Sequence, residues 1–206
     1  MSTQVDRRSS SRNVQTIEDS LVARSLFGDV RWAWIWLILR LYVGYEWLSA
    51  GWDKLHSAAW VGSSAGTALT GFVNNALAKA SSAHPDVQGW YAAFLQGIVL
   101  SHAAFWSTLV AWGETLIGIA LILGLFTGIA AFFGSFMNVN YLLAGSVSTN
   151  PILFAIATWL VLSWKTAGWW GLDRWVLPTL GTPWSPGRIF KHEAGAGQGD
   201  SNPAHA

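Results

Sequence analysis

Residues 87–164 form a run of 78 positions in which Glu114 is the only charged side chain. A soluble fold of that length needs charged or polar groups on every outer element. One charge is far too few for that, so the segment is expected to be covered by lipid rather than water. The pattern extends upstream. Residues 32–164 carry seven charges (Arg40, Glu46, Asp53, Lys54, Lys79, Asp86 and Glu114), while the other 16 of the 23 crowd into the two ends. The expected class is an all-α integral membrane protein. Without cysteine, disulfides, Cys-ligated zinc, iron–sulfur clusters and c-type haem are excluded. A net charge of +1 gives no field to gather nucleic acid. The first twenty residues are polar and contain Arg7, Arg8 and Arg12, and no cleavable signal peptide is visible there. The 15 tryptophans suit long membrane–water boundaries.

Apolar runs and their punctuation predict four transmembrane helices at about 32–51, 103–123, 128–143 and 151–165. Asp29 stands where it would cap the first, and Ser101 the second. Gly124 ends the second, Thr127 is placed to cap the third, and Asn150 with Pro151 opens the fourth. Residues 1–29 read as a tail, as do 179–206. The tails and their flanks hold Arg7, Arg8, Arg12, Arg24, Arg31, Lys165, Arg174, Arg188 and Lys191, against Lys54 and Lys79 on the other side. The positive-inside rule makes both termini cytoplasmic, in the cell membrane. The loop at 52–102 then lies outside. Leu69, Phe72, Val73 and Leu77 follow one helical face there, and Val87, Trp90, Tyr91, Phe94, Leu95 and Ile98 follow another. Two short amphipathic helices on the outer surface or capping the bundle are expected; a fifth span through 89–100 is the competing reading, but it is short and one-sided.

Ionisable groups at membrane depth are functional candidates because they are costly unless paired. Arg40 lies about 12 Å into the first helix, and Glu114 about 16 Å into the second from the opposite side, so the two come to nearly one depth in a ~30 Å core. An Arg40–Glu114 ion pair is expected, either fixing helix register or acting on a substrate. Tyr42, Tyr45 or Glu46, Ser49, Asp53 and His56 form a polar stripe, and Ser135, Asn138 and Tyr141 share a face of the third helix. Together they suggest a polar pocket in the outer half of the bundle. Interhelical hydrogen bonding without function is the plainer reading of Asn138 and Tyr141. Lys54 and Asp53 read as boundary residues, with Lys54 snorkelling to the interface. His56 and His102 flank helix ends, poorly placed for a bis-His haem, and no flavin, nicotinamide or metal motif is present.

The string LRLYVGYEWLSAGWDKL at 39–55, with Arg40 followed by Ala50, Gly51, Lys54 and Leu55, resembles the first helix of the DoxX family. GETLIGIALILGLFTG at 113–128 is similar to that family's second helix, with Glu114 and the glycine turn; NVNYLLAGSVSTNP at 138–151 and GLDRWVLP at 171–178 resemble its DoxD-like branch. The resemblance covers about 32–178. It implies a four-helix membrane bundle, with Arg40 and Glu114 as family-typical positions. It further implies kinship with thiosulfate:quinone oxidoreductase, which oxidises thiosulfate and passes electrons to membrane quinone.

Two functions follow as expectations. One is a quinone-reactive membrane subunit in which Arg40, Glu46 and Glu114 do the chemistry and Tyr42, Tyr45, Asn138 and Tyr141 line a quinone site. It has no covalent cofactor and no metal. The other is a non-catalytic accessory subunit anchoring a larger membrane complex. A small-solute transporter is third, without the inverted repeat that would favour it. The partners expected are the bilayer and other subunits, not nucleic acid.

Overall fold

The computed structural model describes residues 20–182 and 185–190. Those residues fold almost wholly into α-helix, and the one sheet is a hairpin of β1 (Gly181–Thr182) and β2 (Ser185–Pro186). Part of the expected N-terminal tail is helical. Helix α1 (Leu21–Gly28) is capped by Ser20 and tied down at its end: Trp36 Nε1 donates to Leu26 O at 3.0 Å and Thr166 Oγ1 to Phe27 O at 3.0 Å. Residues 1–19 and 191–206, most of the two tails, lie outside the described residues.

Asp29 caps as expected, its carboxylate accepting from Arg31 N at 2.9 Å at the head of a short 3₁₀ turn, Val30–Trp32. Helix α2 (Ala33–Leu55) follows and continues past Gly51, where the first span was expected to stop. Helix α3 (Thr67–Ala80) buries Leu69, Val73 and Ala76. Helix α4 (Gly89–Phe94) passes through a π turn, Leu95–Val99, and a 3₁₀ turn, Leu100–His102, into α5 (Ala103–Leu123). The amphipathic segment before α5 is therefore not a separate helix. It is the first part of a continuous helical run, Gly89–Leu123, 35 residues long and the one stretch among the described residues long and apolar enough to cross a membrane. Ser101 does not cap α5: its Oγ donates back to Gly97 O at 2.8 Å, and His102 (φ −134°) takes the cap position where the helix bends. Val87, Tyr91, Leu95 and Val99 point inward at four-residue intervals and share a core with α3, while Trp90 and Ile98 of the expected apolar face are exposed.

Gly124 ends α5 with φ 63°, the left-handed conformation that glycine adopts without strain. Helix α6 (Thr127–Leu143) begins after Phe126, which is also left-handed at φ 47°. Thr127 does not cap it. The carboxylate of Asp173, 46 residues downstream, accepts from Phe126 N at 2.6 Å and Thr127 N at 2.8 Å. Helix α7 (Asn150–Leu162) carries Pro151 in its first turn, where a missing N–H costs nothing, and is a shorter apolar helix. Short helices α8 (Trp164–Ala167) and α9 (Asp173–Leu180) follow and lead into the hairpin.

Trp36, Val43, Trp47, Ile117, Leu121 and Leu160 centre the main core. Outside it, Ile38, Leu116, Ile129, Phe132, Phe136 and Ile152 are all exposed. An apolar belt of that extent is the surface of a protein embedded in lipid.

Helices α2 and α5 pack closest, through glycine. A Cβ on Gly118 would overlap the backbone of Leu48, one on Gly51 the backbone of Thr115, and Gly44 faces Ile122. With the side chains removed, the two backbones touch. Replacing Gly118 with valine forces backbone apart rather than a flexible side chain. We expect a loss of about 1–3 kcal/mol or more, read as a fall in the thermal unfolding midpoint of the detergent-solubilised protein. An unchanged midpoint would refute the close packing.

Candidate functional site

The glycine contacts fix the α2–α5 register, and the register decides which charges meet. With Gly51 against Thr115, Glu114 lies level with the last turns of α2. Its partner there is Lys54, whose Nζ is 2.6 Å from Glu114 Oε2. Tyr141 of α6 donates its hydroxyl to the other oxygen, Oε1, at 2.5 Å. Both carboxylate oxygens are thus held, the Glu114 side chain is 2% exposed, and Lys54 is 19% exposed. The ammonium also sits 5.0 Å from the centroid of the Trp60 ring, a cation–π contact that stabilises a partly desolvated charge. Trp47 stacks on Tyr141 with ring centroids 6.3 Å apart, and Phe72 meets Tyr141 edge-on at 6.0 Å.

These groups wall a cavity of about 350 Å³. Glu46, Trp47, Ala50 and Lys54 line it from α2, Val110 and Glu114 from α5, and Leu69 and Phe72 from α3. Ser146, Ser148, Thr149 and Asn150, in the loop from α6 and at the start of α7, give it a polar edge. That loop is pinned to α3 by Lys79, whose Nζ donates to Gly145 O at 2.6 Å.

The expected Arg40–Glu114 pair does not form. Carrying the same register along α2 puts Arg40 level with the turn after α5, about 18 Å along the axis from Glu114. Depth counted from the helix ends took the end of α2 as level with the start of α5. Instead α5 overhangs α2 by roughly two turns, and the loop after α2 covers the overhang, with Ser107 Oγ donating to Trp60 O at 2.7 Å and Gly66 packed on Ala103 and Ala104. Arg40 is buried at the other end of the bundle. Its Nη2 donates to Trp170 O at 3.3 Å, its guanidinium is clasped by Gly124 and Gly171, and Asp173 is the acid whose charge acts on it.

Of the residues expected at the site, Glu46, Glu114 and Tyr141 come together at the cavity. Tyr42 and Tyr45 do not: they point outward, 40% and 64% exposed. One helical step separates Tyr45 from Glu46, and the inward stripe of α2 runs through Glu46, Ala50 and Lys54. Asn138 is fully buried beneath the site, off the cavity wall. Lys54 was overlooked as a boundary residue, yet it sits eight positions after Glu46 on the cavity stripe. That spacing was the available signal. His56 takes no part, its Nδ1 lying 2.8 Å from Trp52 O in its own helix.

A family model described as "TQO small subunit DoxD" matches residues 35–185. No curated protein and no solved structure matches the chain.

Proposed function

The chain belongs to the DoxD family, and from that premise we propose that it is the quinone-reactive, four-span subunit of a membrane oxidoreductase of the thiosulfate:quinone type. The observation that carries this reading is the carboxylate of Glu114, held between an ammonium and a phenol in the wall of an aromatic-lined cavity. A volume of about 350 Å³ falls at the lower end of small-molecule sites, roughly 300–1,000 Å³. Trp47, Trp60 and Phe72 offer faces for a planar ring. A Lys54 N–H beyond the one given to Glu114, and the hydroxyls of Ser146, Ser148 and Thr149, are donors suited to ring carbonyl oxygens.

Reducing a quinone to a quinol consumes two electrons and two protons. The short Tyr141–Glu114 hydrogen bond holds one mobile proton at the cavity wall. Lys54 sets the charge of that pair, and Glu46 adds a second carboxyl at the same wall. The electrons come from the sulfur donor, by way of a partner subunit. Arg40 lies outside this chemistry and holds the opposite end of the bundle together.

In the same reading α2, α5, α6 and α7 span the cell membrane. Arg24, Arg31, Lys165, Arg174 and Arg188 mark the cytoplasmic end, and Lys54 and Lys79 the outer. The exposed apolar belt on all four helices supports it. The cavity then lies in the outer half, walled on one side by α3.

The test is binding of a short-tailed quinone analogue to purified protein in detergent. We expect binding by the unaltered chain, a loss of about tenfold in Glu114→Gln, and several-fold slower reduction in Tyr141→Phe, which removes only the hydroxyl. If the unaltered protein binds no quinone analogue, the accessory-subunit reading replaces this one.

A further inference from the structure

Beneath the cavity, α6 carries a second group of polar atoms that the proposed site does not use. Asn138 is 0% exposed, and neither its Nδ2 nor its Oδ1 has a hydrogen-bond partner among the described residues. Trp47 Nε1 and Ser135 Oγ are likewise buried and unpaired. The geometry groups them. Gly134, Asn138 and Tyr141 lie on one face of α6 at four- and three-residue steps. The Trp47 ring runs along that face: it stacks on Tyr141, and its Nε1 lies 3.2 Å from where a Cβ would stand on Gly134. Asn138 occupies the helical step between those two contacts. Further along α6, Thr127 Oγ1 is also buried and unpaired.

A primary amide with no partner is costly at this depth, and buried polar groups in proteins are satisfied by ordered water when protein does not supply the bond. Water here has the several partners it needs: an amide that both donates and accepts, an indole donor and a hydroxyl. Its neighbour toward the cavity is Tyr141, whose own proton goes to Glu114.

We propose that Asn138 holds buried water against Tyr141 and forms the inner arm of a proton relay, resupplying the Tyr141–Glu114 pair from inside the bundle. This rests on the quinone reading of the cavity. The relay reaches Glu114 from the side of α6, away from the polar edge of the cavity. Water oriented by Asn138 then passes a proton to Tyr141 as Tyr141 passes its own to Glu114, and Glu114 gives one up to the ring oxygen. Asn138 is a positioning residue: it touches the water, not the substrate.

The test uses full-length protein with a short-tailed quinone analogue bound. Dithionite supplies two electrons per ring and is oxidised to sulfite, while two protons arrive through the protein; the loss of quinone absorbance is followed in H₂O and in D₂O. Asn138→Leu keeps the branching at Cγ and removes the hydrogen-bonding groups. It should leave analogue affinity within about twofold, slow reduction several-fold, no more than Tyr141→Phe does, and enlarge the solvent isotope effect. Asn138→Ser, which keeps a hydroxyl and leaves room for water, should recover most of the rate. Asn138→Val carries the same test if the leucine variant does not fold. Reduction at the unaltered rate in the leucine or valine variant, with the analogue bound, overturns the relay alone. Absence of analogue binding by the unaltered protein overturns the quinone reading and the relay with it.

Discussion

Lys54→Met is expected to destabilise the protein by about 3–5 kcal/mol, the usual cost of leaving one member of a buried ion pair without its partner. The stranded group is Glu114, whose side chain is 2% exposed. Tyr141 alone cannot neutralise it. Glu114→Gln should be milder, because an amide oxygen still accepts from Lys54 or Tyr141 and no uncompensated anion remains. The double variant, Lys54→Met with Glu114→Gln, should regain most of the stability lost by Lys54→Met alone. That non-additivity, measured by thermal or denaturant unfolding in detergent, is the signature of direct contact. An exchange of the two residues tests the same contact from the other side. Strictly additive single and double effects would refute the pair. The matching cycle at Arg40 and Glu114 should show no coupling, since they lie at different levels of the bundle.

Asp173→Ala is the second large expected effect, of similar size, and it acts at the opposite end. Three things fail together. The amides of Phe126 and Thr127 lose their acceptor at the start of α6, the helix N-terminus loses a favourable anion, and Arg40 loses the one acid whose charge acts on it. Each unpaired buried amide costs roughly 1–3 kcal/mol, and an uncompensated guanidinium more. Asp173→Asn keeps one acceptor oxygen and should fall between alanine and the unaltered protein. Unfolding midpoints give the order, and limited proteolysis at the α5–α6 turn should show the alanine variant cut first. Equal behaviour of all three would mean that the cap does not hold the turn.

The two predictions mark what could be read from the residues in order. Helix α5 ends where Gly124 places it, and Asn150 with Pro151 opens α7, because such signals are local. Glu114 stood out because nothing near it in sequence is charged, and Tyr141 followed from helical spacing. The pairing was a different problem. Whether Glu114 meets Arg40 or Lys54 depends on how far α5 slides along α2, and that is set by Gly51 and Gly118 each meeting backbone on the other helix. Counting depth from helix ends contains no information about the slide. Asp173 was invisible for a related reason. Its role is to cap a helix that starts 46 residues earlier, through a contact made by the fold and not by the neighbourhood. Tyr45 was misplaced by a single helical step, and Tyr42, four residues before Glu46, by the drift of about 40° that each four-residue step adds to a stripe.

The glycine seam between α2 and α5 also has a mechanical consequence. Backbone resting on backbone leaves no layer of side chains to shear, so the two helices move as a single stiff beam. Lys54 and Glu114 stand on opposite members of that beam, so the separation of their backbones is set by the seam. Any widening of the cavity to admit or release a molecule must therefore come from its other walls: α3, and the loop between α6 and α7 that Lys79 pins at Gly145.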